Sequence, residues 1–464
     1  MWSAHPSGNK SLERFERAGD LGEHRALSDD RDTIFALSSG VGKAAVALFR
    51  ISGANCGAAL RLVAGRDCFP IREAVLTTLR HPRSQEPIDR AVVTRFEAPF
   101  SFTGEDMAEI GVTGGRAVIA ATVGALNDVP GLRLAKPGEF AWRAFTNGKI
   151  DLSEVEGLAD LVDSETEAQR RQARRIAGGA LKRECAAVRA SLIEAMAAVE
   201  AQIDFSDVED AEALTDETVK RHALAAVDRI DRALSTAAAA RRVREGFVVV
   251  IAGRPNVGKS SLINALAGRD VAITSAIPGT TRDLIEVSLD LNGFPVTLVD
   301  TAGLRDSDDP IEREGVARAL HRARNADLTL WLYDGHESGE DQIGIEALRV
   351  RTKIDLRENR LGPTEYGVSA KTGEGIDALL DRIGRIAQEK SSSEEPPVLA
   401  LERHRAAFEA ARDAILSALS HGAFEAELVA EDLRHAASAL DSVAGRIGVE
   451  DVLGEIFSRL CVGK

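Results

Sequence analysis

Apolar and polar positions alternate in three different ways along the chain, and each way predicts a different kind of structure. Over residues 32–150 short apolar runs alternate with polar connections. Ala45-Val46-Ala47-Leu48-Phe49-Arg50-Ile51 and Ala91-Val92-Val93-Thr94-Arg95-Phe96 have strand character, and residues 55–64 and 115–126 have helical character. One α+β domain is expected there. From Leu152 the pattern turns helical. Val188, Leu192, Ala195, Val199 and Ile203 recur every three or four residues, an apolar stripe along one long helix. A second helix is expected over 217–240. Over 246–390 strands and helices alternate. Phe247-Val248-Val249-Val250-Ile251-Ala252 reads as a buried strand, Ser261-Leu262-Ile263-Asn264-Ala265-Leu266 as a helix, and Val296-Thr297-Leu298-Val299 as another strand. Ser391-Ser392-Ser393-Glu394-Glu395-Pro396-Pro397 is a linker by composition, and residues 399–457 are helical again. Two helical blocks therefore flank the alternating segment. It reads as an insertion into one helical domain whose stripes pack on each other; two unrelated helical hairpins are the alternative. The expected division is 1–31 (a disordered extension), 32–150, 151–245, the insertion 246–390, and 391–464 as the second part of the helical domain.

Composition narrows this picture. A chain of 464 residues has room for about three domains. Hydrophobic residues make up 44% of it, enough for buried cores, while aromatics are only 4%. The net charge of −15 argues against a stand-alone nucleic-acid binder, because phosphate contacts need clustered Lys and Arg. An RNA substrate would call for a local basic patch or a basic partner. Cys56, Cys68, Cys185 and Cys461 show no metal-ligand spacing and fit a reducing cytosol. No run of about 18 apolar residues exists to span a membrane. Residues 1–31 are polar and mixed in charge, unlike a signal peptide. A cytoplasmic location is expected.

The chemistry begins at Gly253-Arg254-Pro255-Asn256-Val257-Gly258-Lys259-Ser260, a phosphate-binding loop between the predicted strand and helix. Its glycines let backbone N–H groups turn around an anion, and the helix N-terminus adds partial positive charge. Lys259 can reach the outer phosphates, and Ser260 can ligate Mg²⁺. Four further elements follow in order. Ala276-Ile277-Pro278-Gly279-Thr280-Thr281-Arg282-Asp283 brings hydroxyls, with Thr281 placed to complete the Mg²⁺ shell. Asp300-Thr301-Ala302-Gly303 offers a carboxylate to the metal through water and an N–H to the γ-phosphate. Thr352-Lys353-Ile354-Asp355 has the form of a guanine-recognition element, its Asp accepting from the guanine N1–H and 2-amino group. Ser369-Ala370-Lys371 supplies a backbone contact to the guanine oxygen. Any one string is weak; together, behind a phosphate loop, they specify GTP.

The catalytic side departs from the common pattern. Leu304 follows Gly303 where many GTPases carry the Gln that orients the attacking water. Another group must supply that function. Glu312, on an acidic stretch, is one candidate, although spacing alone favours a solvated surface charge. No arginine can be assigned as a finger. Asn256 inside the loop suggests a bound monovalent cation as the source of positive charge instead. At the far end, Phe457-Ser458-Arg459-Leu460-Cys461-Val462-Gly463-Lys464 closes an amphipathic helix; a lone Cys of this kind is usually a small buried hydrophobe.

Beside these motifs stand Leu48-Phe49-Arg50-Ile51-Ser52-Gly53, Ser101-Phe102-Thr103-Gly104-Glu105-Asp106, Lys136-Pro137-Gly138-Glu139-Phe140, Arg143-Ala144-Phe145, Lys149-Ile150-Asp151-Leu152 and the final Cys461-Val462-Gly463-Lys464. With them the chain resembles, over about residues 32–464, the tRNA modification GTPase MnmE (TrmE) family. The resemblance implies an N-terminal α+β domain that binds tetrahydrofolate and dimerises, a helical domain, and an inserted P-loop GTPase domain with a Ras-like parallel sheet. It implies a homodimer working with a flavin-dependent partner, MnmG, as a heterotetramer. The pair would add an aminomethyl or carboxymethylaminomethyl group to C5 of the wobble uridine of certain tRNAs. The one-carbon unit would come from a 5-formyl- or methylene-tetrahydrofolate. By matched position Arg50, Glu109, Lys149 and Lys464 would contact the folate, its anionic tail suiting Arg and Lys. The GTP contacts would be Asn256-Val257-Gly258-Lys259-Ser260-Ser261, Ser275-Ala276-Ile277-Pro278-Gly279-Thr280-Thr281, Asp300-Thr301-Ala302-Gly303, Thr352, Lys353, Asp355 and Ser369-Ala370-Lys371. K⁺ would rest on Asn256, Ser275, Ile277 and Thr280, at the place an arginine finger would put its charge, while two GTPase domains meet across their nucleotide faces. Glu312 would orient the attacking water through a second water. Cys461 aligns with a cysteine needed for modification, as a thiolate nucleophile or as packing beside the folate. Thr352 departs from the family's usual Asn, and Thr113 from a common His, so no role is carried to Thr113. A GTP switch in ribosome assembly is the rival reading, and a folate enzyme regulated by GTP a second.

Overall fold

The computed structural model describes residues 32–40, 42–204, 211–254, 256–269, 271–273, 286–300, 326–334, 347–356, 365–392, 397–421, 425–445 and Gly463. The chain divides into two compact units, residues 1–150 with 449–464 and residues 151–448. Each is taken by itself below.

The first unit is built on a six-stranded sheet: β1 Thr33–Leu37, β2 Val46–Ser52, β3 Ala74–Arg80, β4 Pro87–Phe96, β5 Met107–Thr113 and β6 Leu132–Leu134. The spatial order is β3-β4-β5-β2-β1-β6, with β6 parallel to β1 and the other neighbours antiparallel. Helices α1 Cys56–Ala64 and α2 Arg116–Asn127 bear on the same core as one face of that sheet. The alternation in β2 places Ala47, Phe49 and Ile51 in this core, the period-two signature of a half-buried strand. A third helix, α3 Glu139–Thr146, carries Phe140 into a smaller cluster with Ile34 and Ala36 of β1.

The second unit opens with α4 Leu152–Asp163 and α5 Glu167–Ala177, both started by reciprocal capping boxes, Asp151 with Glu154 and Thr166 with Gln169. Long helices α6 Ala180–Asp204 and α7 Ala211–Ser235 follow. They share a core with α11 Glu402–Ser420 and α12 Ala426–Val443. Val188, Leu192, Ala195 and Val199 of the predicted stripe are buried there beside Phe408, Ile415, Leu433 and Leu440. The helix expected over 217–240 is interrupted. It stops at Ser235 and restarts as α8 Ala237–Glu245. Ser235 and Thr236 donate their hydroxyls to the carbonyls of Arg232 and Ala233, at 2.7 and 2.9 Å. Such back-bonding competes with the helical ladder.

Between α8 and α11 lies a second sheet, β7 Phe247–Gly253, β8 Glu286–Leu291, β9 Phe294–Asp300, β10 Leu328–Tyr333, β11 Ala347–Arg351 and β12 Tyr366–Gly367, with helices α9 Lys259–Ala267 and α10 Ile376–Ser391. Its order is β12-β11-β10-β7-β9-β8, parallel except for the β8–β9 hairpin. This is the P-loop pattern of an α/β sheet with an antiparallel edge. Side chain and main chain join it to the helices around it. Arg242 pairs with Asp327 at 2.7 Å, and Ala168 N–H donates to Gly293 O at 2.9 Å. No described helix is long and apolar enough to cross a membrane.

Candidate nucleotide and N-terminal sites

The phosphate loop leaves β7 at Gly253, whose φ is 146°. A Cβ there would lie 2.4 Å from Leu332 O of β10, so only glycine lets the two strands stay paired. Asn256 and Gly258 also hold positive φ, 61° and 106°. α9 then begins at Lys259, so the loop ends on helix amides with no intrahelical partner. Lys259 is largely buried, and its Nζ donates to Gly253 O at 2.8 Å and Arg254 O at 2.9 Å, across the loop. Ser260 Oγ donates to Asp300 Oδ2 at 3.1 Å. Two of the three residues expected near Mg²⁺ thus meet, at the start of α9 and the end of β9. A hydroxyl beside a carboxylate is a hard oxygen donor set, which fits that ion. Among the described residues no trio of His, Cys, Asp or Glu is placed to hold a metal.

The guanine side is tied to the same loop. Thr352 follows β11 and is buried. Its Oγ1 lies 2.6 Å from Val257 O, to which it donates, and 3.2 Å from Tyr333 O. Lys353 Nζ donates to Asn256 O at 2.8 Å and lies 3.8 Å from Asp334 Oδ2. Asp355 Oδ1 accepts from Ser369 Oγ at 2.7 Å. Ser369 also closes a turn, accepting at its carbonyl from Gly373 N–H, with exposed Lys371 and half-buried Ala370 within it. Four strings from different parts of the chain therefore converge on one end of the sheet. The departure at Thr352 acquires a physical meaning: its hydroxyl fastens the base-recognition loop to the phosphate loop. A cleft of about 430 Å³, lined by Asp160, Gln172, Arg242, Arg244, Val248 and Thr297, involves the opposite end of β7 and is separate from this site.

Ser275, Ala276, Ile277, Pro278, Gly279, Thr280, Thr281, Thr301, Ala302, Gly303, Glu312, Cys461 and Lys464 lie outside the described residues.

In the first unit Arg50 and Glu109 face each other across β2 and β5. Arg50 donates to Glu109 Oε1 from Nε at 3.3 Å and from Nη2 at 2.8 Å. Its guanidinium lies 5.4 Å from the Phe102 ring centre and 5.8 Å from that of Phe140, within cation–π range. Gly463 O accepts from Ser38 Oγ at 3.0 Å and from Arg50 Nη1 at 3.4 Å. Gly463 has φ 104°, and a Cβ there would lie 2.6 Å from Leu37 O. Glycine is therefore what admits the penultimate residue to this pocket. Lys149 is exposed and donates to Pro99 O at 2.8 Å. The sequence reading missed Phe102, Phe140 and Ser38 as parts of the pocket. The two aromatics lay in motifs already noted, but only the fold puts them on Arg50.

Behind the pocket runs an ionic network. Glu139, 1% exposed, takes Arg133 at 2.6 Å, Arg143 at 3.5 Å and Lys136 N–H at 2.8 Å. Arg143 also reaches Glu105, which accepts from Ser52 Oγ at 2.6 Å. Burial pushes the Glu139 carboxyl upward, but its bonds and the charges of Arg133 and Arg143 outweigh this and hold it below the usual carboxylate range. Burial also pushes the Cys56 and Cys185 thiols up to about 12, so both stay protonated and inert.

Comparison with known proteins agrees with this layout. The family model for the GTP-binding protein TrmE N-terminus matches residues 33–149, and that for the MnmE helical domain matches residues 152–461. The chain is 49% identical over 443 residues to the tRNA modification GTPase MnmE of Methylorubrum populi, covering 95% of this chain and 99% of that one. It is 47% identical to the protein of the same description from Bradyrhizobium sp., over 93% and 99% of the two chains. For Methylobacterium sp. the identity is 48%, over 93% and 100%. With a P-loop sheet, a guanine loop fastened to it and both flanking domains matched, the chain is a GTPase belonging to the tRNA modification GTPase MnmE family.

Proposed function

We propose that this chain is a K⁺-dependent GTPase that drives modification of the wobble uridine of certain tRNAs, together with a flavin-dependent partner. The group added at C5 is aminomethyl or carboxymethylaminomethyl, and its one-carbon unit comes from a tetrahydrofolate derivative. The observation that carries this reading is the near full-length match to tRNA modification GTPases, joined to a phosphate loop held by its own guanine loop.

The residues divide the work. Backbone amides of the loop and Lys259 bind the phosphates, and Asp355 takes the guanine edge. Mg²⁺ would be held by Ser260 and Thr281, with Asp300 behind, and would neutralise charge on the phosphates. Asn256, Ser275, Ile277 and Thr280 would hold K⁺, whose charge stands in for an arginine finger. Glu312 orients the attacking water. In the first unit Arg50, Glu109, Lys149 and Lys464 hold the folate. The packing of Gly463 against Arg50 supports the last of these, since it brings the residue next to Lys464 in the chain to the pocket. Cys461 belongs to the modification step. A homodimer, joined to the partner as a heterotetramer, completes the assembly. Nothing observed favours a GTP switch in ribosome assembly, and residues 33–149 match a TrmE N-terminus.

The test is nucleoside analysis of tRNA from a deletion strain. Loss of the C5 modification, restored by this chain, is the expected result; normal modified nucleosides in the deletion strain would overturn the reading. Hydrolysis at equal rates in Na⁺ and K⁺ would remove the K⁺ mechanism alone.

A further inference from the structure

The charge of the chain is unevenly spread. Residues 167–183 contain six basic side chains (Arg170, Arg171, Arg174, Arg175, Lys182, Arg183) and one acid, Glu167, a net of +5. With −15 overall, the remaining residues carry −20. This stretch is α5 and the first turn of α6. The buried face of α5 consists of Gln172, Ala173 and Ile176. At 100° per residue, Arg170, Arg174, Arg171 and Arg175 occupy the opposite side. Arg170, Arg171 and Arg174 are exposed and Arg175 is half-buried. Arg170 and Arg171 share the single carboxylate of Glu167, each at 2.7 Å. Lys182 is committed to Asp151 and Glu154, at 3.7 and 3.2 Å.

Neighbouring features account for this face only in part, since one carboxylate, Glu167, serves two of its four arginines. Arg174 and Arg175 sit in the last turn, where the helix dipole favours cations. Arg170 and Arg171 sit near the first turn, where it does not. Burial holds the Arg175 guanidinium below its ordinary value; Glu184 opposes this, and the nearby Arg183 adds to it. Cations are thus crowded together on an otherwise acidic chain. Guanidinium groups pair with phosphate in bidentate fashion, and Arg170 and Arg174 repeat at about 6 Å along the helix axis.

We infer that the arginine face of α5, continued by Arg183, is the surface on which this chain docks the phosphate backbone of its tRNA. The inference rests on the tRNA reading above and locates its contact. With the remaining residues at a net −20, a local cluster of cations is what gives a polyanion a favourable place to dock. The contact is through phosphates and carries no base sequence of its own.

The test uses the full chain carrying Arg170→Gln, Arg171→Gln and Arg174→Gln. All three are exposed, and Gln keeps the helix propensity. Unmodified tRNA binding is measured against salt. The variant should bind about tenfold more weakly at ~0.1 M salt, and the slope of log affinity on log salt should flatten by about 2 to 3. GTP hydrolysis without RNA should be unchanged. The matching Arg→Lys triple keeps the charge but not the bidentate fork, so it should keep the wild-type salt slope while binding with an affinity between those of the Gln triple and the wild type. Wild-type affinity and slope in the Gln triple would overturn the inference. So would a wild-type chain that binds anionic vesicles but not tRNA. In the deletion strain, equal restoration of modification by the Gln triple and the wild type sinks the docking surface alone. Failure of the wild type to restore it sinks the tRNA reading itself.

Discussion

The phosphate loop and the Arg50 pocket are built by opposite means. The loop is eight consecutive residues, and its geometry is a matter of backbone: positive φ at Gly253, Asn256 and Gly258, then a helix start at Lys259. The pocket is a matter of side chains. Arg50, Glu109, Phe102, Phe140 and Ser38 come from separate elements, and Gly463 joins them across 425 residues of sequence. A site made from backbone can be carried by a short string, because each glycine or turn residue acts locally. A site made from side chains exists only once the sheet has set its register. The two should therefore fail differently when altered.

The sharpest contrast comes from Lys259→Ala against Arg50→Met. Removing the lysine should lower kcat/KM for GTP by about 10³-fold, a typical loss for one charged group at a developing phosphate charge. Arg50→Met should leave hydrolysis unchanged and weaken tetrahydrofolate binding. Phosphate-release assays and a folate titration check both, and crossed effects would show that the sites are not separate.

Glu139→Gln comes next. It removes the buried carboxylate that Arg133 and Arg143 share, leaving them Asp32 and Glu105, a loss of about 2 kcal/mol, read from denaturant unfolding. The sign of its pH dependence follows from its lowered folded value. Its stabilisation is fully present above the unfolded carboxylate value of 4.5 and is lost as pH falls through the folded one. Wild-type stability should therefore drop more steeply below pH 4.5 than that of Glu139→Gln; parallel curves would contradict this.

Asp355→Asn should lower GTP affinity about 100-fold, because a carboxylate accepting two guanine N–H groups is replaced by an amide. Xanthosine triphosphate, with an oxygen at position 2, should then compete better, and unchanged nucleotide preference would remove Asp355 from base recognition. Gly463→Ala tests the pocket's other partner. Its Cβ meets Leu37 O and its φ is positive, a strain of about 1–2 kcal/mol. Folate binding should weaken about tenfold while GTP binding stays constant. The smallest effect is expected from Thr352→Val, which removes the hydroxyl on Val257 O. About 1 kcal/mol, or fivefold in GTP affinity, should be lost.

Legibility follows the same division. The strand, loop and helix from Phe247 to Ala267 were readable because each rests on neighbouring residues. The stripe Val188, Leu192, Ala195, Val199 was readable because a helix repeats locally. The interruption at Thr236 was not. Whether Ser235 and Thr236 bond back to the helix or to water depends on what packs around them. The aromatic walls of the Arg50 pocket were not readable either, although both phenylalanines stood in noted motifs.

By itself the sequence determined the chemistry that local conformation can hold: a phosphate cradle, a guanine-reading carboxylate, and helices with one apolar side. The tertiary structure decided which distant groups meet. It fastened Thr352 to Val257, set Phe102 and Phe140 beside Arg50, and left Arg170, Arg171 and Arg174 of α5 facing outward. Backbone propensity acts over a few residues, whereas side-chain contact depends on strand register and helix packing. Those are properties of the whole fold.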